Sequence, residues 1–328
     1  MTRPVPVLRR RLLGAALALS AWPALAQAPA AAAWPTQPVK ILVGFPGGST
    51  PDIAARVLAE ALGKAWGQTV VVENRPGAAG NIAADAVAKS RDEHTLGVVI
   101  NGNLTTARLL NPKLPFDPAR DFHFVTLLAT APLVLVTNPD KPEGAAFLGA
   151  ARAGAKAWSY GSVGIGSVGH LGMEVLKAAA GGLQAQHVPY NGNPAVITAL
   201  IGGQVQMGLM PPGIALPQAK EGKIRVIGVT GPRSPLAPGV EPLNTMGVAL
   251  EDLEVWTAVV GPAGLTPAAR ERLARDVPAL LRSAEVREKL LAAGWQAQGT
   301  GADTMRTRVE AEARVLGGII TAQGITTN

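Results

Sequence analysis

The run Phe45-Pro-Gly-Gly-Ser-Thr-Pro-Asp52 decides the fold, because it joins a β-rich segment to an amphipathic helix through small residues. Residues 39–45 favour a strand, and the residues after the run place apolar side chains at helical spacing. Thr50 is predicted to cap the helix, with Pro51 at its first position and Asp52 in its first turn. Backbone N–H groups at such a helix start, together with the helix dipole, favour an anion.

A second loop of this kind is Tyr160-Gly-Ser-Val-Gly-Ile-Gly-Ser-Val-Gly-His170. Neither loop contains Lys or Arg, so any anion there would be held by amides and hydroxyls. Two such cradles favour a ligand with two polar ends, and therefore a dicarboxylate. A simpler interpretation stays open, in which the first loop is only a tight turn and the second only a helix cap and linker. Asp52 is interpreted as a helix stabiliser, since its charge would repel a carboxylate.

Strand and helix signals alternate along the chain in two blocks. The first block has strand signals at 39–45, 70–73 and 95–100, separated by helical segments. This order predicts a mostly parallel, doubly wound sheet, with ligand at the carboxyl ends of its strands. The polar stretch 101–106 is predicted to be a loop at that edge. The pattern restarts at 133–137 and extends a second α/β unit.

The restart predicts two lobes, each a mostly parallel sheet flanked by helices, with ligand in the interlobe cleft. Residues 34–133 plus 255–328 are assigned to lobe 1, and residues 134–254 to lobe 2. The chain is expected to cross between the lobes near 131–139 and 228–255. The residues beyond 267 are predicted to be mostly helical.

Residues 1–26 are predicted to be a cleaved signal peptide. Arg9-Arg10-Arg11 precedes the apolar segment 12–21, and Ala24-Leu25-Ala26 supplies small residues at the cleavage positions. The apolar segment is shorter than the roughly 20 residues of a membrane span. The mature chain is therefore expected in the periplasm and not embedded in the membrane, whether exported by the general or the twin-arginine route.

Charge and cysteine content exclude several classes of protein. Without residues 1–26 the chain keeps 26 basic and 23 acidic residues, so the formal net charge of +7 falls to +3. This charge is too small to favour nucleic acid as a partner. The absence of cysteine excludes disulfides and thiolate chemistry.

Several motifs resemble the Bug-type substrate-binding proteins of tripartite tricarboxylate transporters. They are Trp34-Pro-Thr-Gln-Pro-Val-Lys-Ile-Leu-Val43, Pro46-Gly-Gly-Ser-Thr50, Val70-Val-Val-Glu-Asn-Arg-Pro-Gly-Ala-Ala-Gly80, Leu114-Pro-Phe-Asp-Pro-Ala-Arg-Asp-Phe122, His187-Val-Pro-Tyr-Asn-Gly192 and Gly222-Lys-Ile-Arg-Val226. The resemblance implies a two-lobed periplasmic binding protein of the type II-like class that performs no chemistry. It also implies a small carboxylate ligand, delivered to the membrane subunits of a transporter.

The residues expected to contact the ligand lie in the two loops and beside them. They are Pro46, Gly47, Gly48, Ser49, Thr50, Asn101, Thr105, Ser162, Gly164, Gly166, Ser167, His170, Tyr190 and Asn191. Pro51 departs from the family pattern, as does the second loop, so the identity of the ligand is not inherited from relatives. No cofactor or metal is expected, and the protein is expected to be a monomer.

The sequence bears on two functions other than transport. An exported hydrolase is disfavoured, because neither Ser162 nor Ser167 lies in a Gly-x-Ser-x-Gly motif. The four histidines also lack zinc-site spacing, and no phosphate-loop Lys follows either Gly loop. A receptor that signals to a sensor kinase would use the same pocket, and the sequence does not separate it from a transport receptor.

Overall fold

A computed structural model describes residues 34–154, 158–248 and 253–326. The predicted signal peptide lies outside the described residues. The strands are β1 (Val39–Val43), β2 (Val70–Asn74), β3 (Thr95–Ile100), β4 (Phe122–Pro132), β5 (Val134–Thr137), β6 (Ser159–Ser162), β7 (Gln186–Pro189), β8 (Met207–Met210), β9 (Arg225–Val229), β10 (Glu254–Pro262) and β11 (Gln296–Ala297). The helices are α1 (Thr50–Trp66), α2 (Asn81–Ala88), α3 (Asn101–Leu104), α4 (Ala107–Leu110), α5 (Gly144–Gly154), α6 (Val168–Ala179), α7 (Asn193–Ile201), α8 (Pro212–Lys220), α9 (Pro267–Leu281), α10 (Ala284–Ala292) and α11 (Ala302–Ala322).

The strands form two sheets, as the two-lobed α/β fold requires. The first has the order β11-β4-β10-β3-β1-β2, and the second has the order β7-β6-β8-β5-β9. Both sheets are mixed, whereas mostly parallel sheets were expected. β10 runs antiparallel to β3 and β4, and β5 runs antiparallel to β8 and β9. The reason is that β5 and β10 enter their sheets from the other lobe and not through a right-handed βαβ crossover.

The chain crosses between the sheets twice, after β4 and after β9. Thr230 joins the two connections, because its hydroxyl donates to the Leu253 carbonyl at 2.8 Å and accepts from the Leu133 amide at 3.0 Å. Thr230 is buried, so these bonds are shielded from water. The two crossovers are therefore held to each other where the lobes meet.

The C-terminal helix α11 packs against β4 of the first sheet and against α6. Its first half places Met305 and Val309 in the core with Trp256, and its second half places Leu316 in the core that contains Leu171 of α6. The lobe boundaries proposed from the sequence assign this helix to lobe 1 alone, and they stay a prediction. A helix anchored in both cores links the lobes in addition to the two crossovers.

The structure differs from the sequence prediction at three places around the first sheet. Ser49, and not Thr50, occupies the N-cap position of helix α1, because Ser49 has the extended backbone (φ −71°, ψ 158°) from which the helix begins, although its hydroxyl makes no capping hydrogen bond. The stretch 101–106, expected to be a loop, opens with the short helix α3 and leads into α4. Strand β4 was not predicted, because it is buried along almost its whole length and its sequence lacks the alternation of a half-buried strand.

Candidate functional site

A cavity of about 40 Å³ lies between the two predicted anion loops. Its polar lining residues are Ser49, Thr50, Asn101, Ser167 and Asn193, and its other lining residues are apolar or glycine. None of the described residues that line it carries a charge. A charged ligand there would have to be held by neutral hydrogen-bonding groups.

Several helices begin at this cavity. Thr50, Asn101, Val168 and Asn193 are the first residues of α1, α3, α6 and α7, and all four line it. Pro211, which also lines the cavity, caps α8. The first amides of a helix have no partner inside it and carry partial positive charge. The helix starts therefore make the cavity attractive to an anion without any Lys or Arg.

The first loop is held in shape by Asp52. Its buried carboxylate accepts hydrogen bonds from the Gly48 amide at 2.9 Å and from Asn74 Nδ2 at 2.8 Å. Burial would raise the pKa of Asp52, but hydrogen bonds from Arg56 and Asn74 hold it below its usual range. Asn74 also donates to the Phe45 carbonyl at 2.9 Å. These contacts agree with the interpretation of Asp52 as a stabiliser, and they give Asn74 a role in positioning the loop.

Two buried polar atoms of the cavity-lining residues have no hydrogen-bond partner among the described residues. They are Ser49 Oγ and Asn101 Oδ1, on side chains of residues that are 1% and 0% exposed. An unpaired buried polar atom costs about 1–3 kcal/mol. A ligand group that donated a hydrogen bond to either atom would remove that cost.

The second loop uses its hydroxyls to shape itself. Ser167 Oγ accepts from the His170 amide at 3.3 Å and donates to the Gly164 carbonyl at 2.8 Å, so it caps α6. Ser162 Oγ accepts from the Gly164 amide at 3.1 Å and lies 2.7 Å from His187 Nε2. The amides of α6 remain the groups that this loop can offer to a ligand.

A stack of three rings lies against the second loop. The half-buried His187 ring stacks on both Tyr160 and His170, with centroids 5.0 Å and 4.0 Å away, and the centroids of Tyr160 and His170 are 6.2 Å apart. Burial lowers the pKa of His170 to about 4 and that of His187 to about 3, so both are neutral at pH 7. His170 Nδ1 accepts from the Gly166 amide at 3.1 Å, which requires an unprotonated nitrogen.

Tyr160, one of the stacked rings, is also hydrogen-bonded. The Tyr160 hydroxyl donates to Glu174, which pairs with Lys177 at 2.8 Å. Burial, with the Glu174 hydrogen bond, raises the pKa of Tyr160, so its hydroxyl keeps its proton. The charged pair therefore contacts the stack through the Tyr160 hydroxyl, whereas the Gly166 amide contacts it through His170.

The structure divides the predicted ligand contacts into three groups. Ser49, Thr50, Asn101 and Ser167 line the cavity. Gly164, Tyr190 and Asn191 line a neighbouring opening, which shares Val163 with the cavity. The others line neither space: Pro46, Gly47, Gly48, Thr105, Ser162, Gly166 and His170.

Asn193 is the polar lining residue that sequence reasoning missed. Its Nδ2 donates to Thr50 Oγ1 at 3.4 Å, which connects α7 in one lobe to α1 in the other. A signal was present, because Asn193 precedes Pro194 directly after a Gly, a pattern typical of a helix start. Residues Tyr190 and Asn191 of the same run were chosen instead.

The stretch 101–106 contacts the second loop across the cleft. Thr106 Oγ1 donates to the Gly166 carbonyl at 2.8 Å. A Cβ on Gly102 would lie only 3.3 Å from that same carbonyl oxygen, so glycine permits the approach. With a cavity of about 40 Å³ between them, the lobes are closed on each other.

Two further searches of the described ranges bear on function. They contain no group of three or more His, Cys, Asp or Glu side chains that could hold a metal ion. They also contain no helix with the length and apolarity needed to cross a membrane.

Comparison with known proteins places this geometry in a family. Residues 54–325 match the family described as tripartite tricarboxylate transporter family receptor. Rpa4515 of R. palustris, solved with adipate, is 31% identical and has a TM-score of 0.85 over 89% of this chain and 99% of its own. MatC from Rhodopseudomonas palustris, solved with malate, is 26% identical with a TM-score of 0.80 over 87% and 99%.

The periplasmic binding protein BugD shares the fold, with a TM-score of 0.83 at 24% identity over 89% of this chain and 99% of its own. The two-lobed architecture and the Bug-type resemblance predicted from the sequence are thereby confirmed. Because the family match covers most of the chain and the geometry agrees with it, this protein belongs to the tripartite tricarboxylate transporter receptor family.

Proposed function

We propose that this protein is an extracytoplasmic receptor that binds a small carboxylate between its lobes and delivers it to the membrane subunits of a tripartite tricarboxylate transporter. The observation that carries the proposal is the set of helix starts around a cavity whose described lining residues carry no charge. As a member of a transporter receptor family, the chain is a binding protein and not an enzyme. The leader-like residues 1–26 support a periplasmic location.

A dicarboxylate is the ligand class that fits the site best. Thr50 begins a helix on one side of the cavity, and Val168 and Asn193 begin helices on the other. A ligand with a carboxylate at each end would use the amides of both sides at once. The adipate and malate found in the two relatives are both dicarboxylates, which supports the proposal.

The test is a thermal-shift screen of the mature protein against mono-, di- and tricarboxylates, followed by calorimetric titration. A ligand present at 100 times its Kd stabilises the folded state by about 2.7 kcal/mol, which a melting curve detects. Ser49→Ala removes a cavity hydroxyl that has no partner among the described residues, so it should weaken binding while leaving the melting temperature without ligand nearly unchanged.

Thr198→Ala is the matched control, because Thr198 is exposed and its hydroxyl donates within its own helix. This variant should bind like the wild type. A screen in which no carboxylate raises the melting temperature would contradict the proposed function.

A further inference from the structure

We propose that Asn101, held in orientation by Glu312, selects ligands that carry a hydroxyl group, so that the solute is a hydroxycarboxylate. The selection rests on the carboxylate-binding function proposed above and names the ligand class more narrowly. Asn101 is fully buried and lines the cavity, and its Oδ1 has no partner among the described residues.

The orientation of the Asn101 amide follows from its neighbours. Its Nδ2 donates to Glu312 Oε1 at 2.8 Å and to the Glu254 carbonyl at 3.3 Å. The Glu254 carbonyl can only accept, so the NH2 group and not the oxygen must face this side. The oxygen is then the atom of the amide that is left for the cavity.

Glu312 is itself fixed. Its Oε2 accepts from the indole nitrogen of Trp256 at 2.5 Å, and Arg308 lies one turn earlier on α11 with its Nε 3.8 Å from the same oxygen. Turning the Asn101 amide over would bring its oxygen against Glu312 Oε1 and the Glu254 carbonyl. The arrangement therefore presents a hydrogen-bond acceptor, and not a donor, to the ligand.

A hydrogen-bond acceptor in the cavity favours ligands that carry a hydrogen-bond donor. An ionised carboxylate has none, so its oxygens cannot satisfy Asn101 Oδ1. A hydroxyl can donate to Oδ1 while the carboxylates use the helix amides and Ser49. An ammonium could also donate, but among the described residues no acidic side chain lines the cavity, and the helix starts disfavour a cation. A hydroxyl group is the donor that suits this site.

The experiment is calorimetric titration of the mature protein with three matched pairs of acids: malate and succinate, lactate and propionate, and 2-hydroxyglutarate and glutarate. For any pair that binds, the hydroxylated acid should bind about tenfold or more tightly, the scale of one buried acceptor satisfied or left unpaired. The ammonium alternative is tested with aspartate in place of malate, and aspartate should bind more weakly than malate.

Two variants test the residues. Asn101→Ala removes the acceptor and should reduce the preference within a pair to about twofold or less, while the non-hydroxylated acid still binds. In Glu312→Gln the new side-chain amide can donate to Asn101 Oδ1, which lets the Asn101 amide turn over. This variant should therefore also reduce the preference for the hydroxylated acid. Glu310→Gln, an exposed substitution on the same helix, is the control and should keep the wild-type preference.

The outcomes separate the two proposals. Equal affinities within the pairs, or tighter binding of succinate, propionate or glutarate, would overturn the hydroxyl selection and leave the carboxylate receptor standing. A preference that survives in both Asn101→Ala and Glu312→Gln would remove Asn101 from that role. Circular dichroism checks that each variant is folded. If Asn101→Ala does not fold, Glu312→Gln still tests the role of Asn101. Binding of no carboxylate at all would overturn the proposed function itself.

Discussion

Acidification should destabilise this protein through the two stacked histidines under the second loop. The pKa of His170 is lowered to about 4 and that of His187 to about 3, chiefly by burial, from an ordinary 6.5. As the pH falls below 6.5, these two histidines therefore bind protons in the unfolded chain before they do so in the folded chain. The stability that the neutral rings provide is complete above pH 6.5 and is lost as the pH falls towards 4 and 3.

The size of the effect follows from the shift in pKa. Between pH 7.5 and pH 5, His170 should contribute a loss of about 2 kcal/mol in the free energy of unfolding. His187 should contribute less, because it is only partly buried and solvent reduces the penalty on its charged form. The stacking of the rings at 4.0 Å further opposes the protonation of both.

Urea unfolding at pH 7.5 and pH 5 measures this loss. In His170→Gln the difference in unfolding free energy between the two pH values should shrink by about 2 kcal/mol relative to wild type. Tyr160→Phe is the matched control, since it alters the same stack without removing a group that titrates in this range. Because the comparison is made within each variant, an overall loss of stability does not disturb it.

Protonation of His170 should also affect ligand binding. Protonated His170 cannot accept from the Gly166 amide, so ligand binding by the wild type should also weaken as the pH falls. A pH dependence of stability in His170→Gln as steep as that of the wild type would refute the reasoning.

The remaining predictions concern capping, loop shape, motion and processing. Ser167→Ala should cost about 1 kcal/mol of stability as a lost helix cap, seen as a lower melting temperature without ligand; an unchanged value would remove the cap. Asp52→Asn should weaken ligand binding in calorimetry, because the charge-assisted hydrogen bonds that hold the Gly48 amide are lost; wild-type affinity would contradict this. Small-angle scattering should show that the lobes open in solution without ligand and that the radius of gyration falls to that of the closed structure at saturating ligand, and no change would indicate a rigid pocket. N-terminal sequencing of the exported protein should begin at Gln27 or Pro29, and retention of Met1 would disprove cleavage.

The sequence alone predicted the elements that depend on local pattern. The strand, turn and helix from 39 to 66 were readable because side-chain alternation, small residues and helical spacing are properties of neighbouring residues. The family motifs extended this to the two-lobed fold. The mixed sheets could not be predicted, because the direction of β5 and β10 depends on where in the interior of each sheet the chain enters after a crossover.

Within the site, the sequence identified Ser49 and Asn101 as candidates but could not say what their side chains do. Asn101 meets Glu312, which lies 211 positions along the chain, and Thr50 meets Asn193 from 143 positions away. The Ser167 hydroxyl, in contrast, accepts a hydrogen bond from the His170 amide at the start of its own helix. Spacing along the chain determines which helix or strand a residue joins. Only tertiary packing determines which polar atoms find partners and which stay free for a ligand, because those partners come from segments that are distant in sequence.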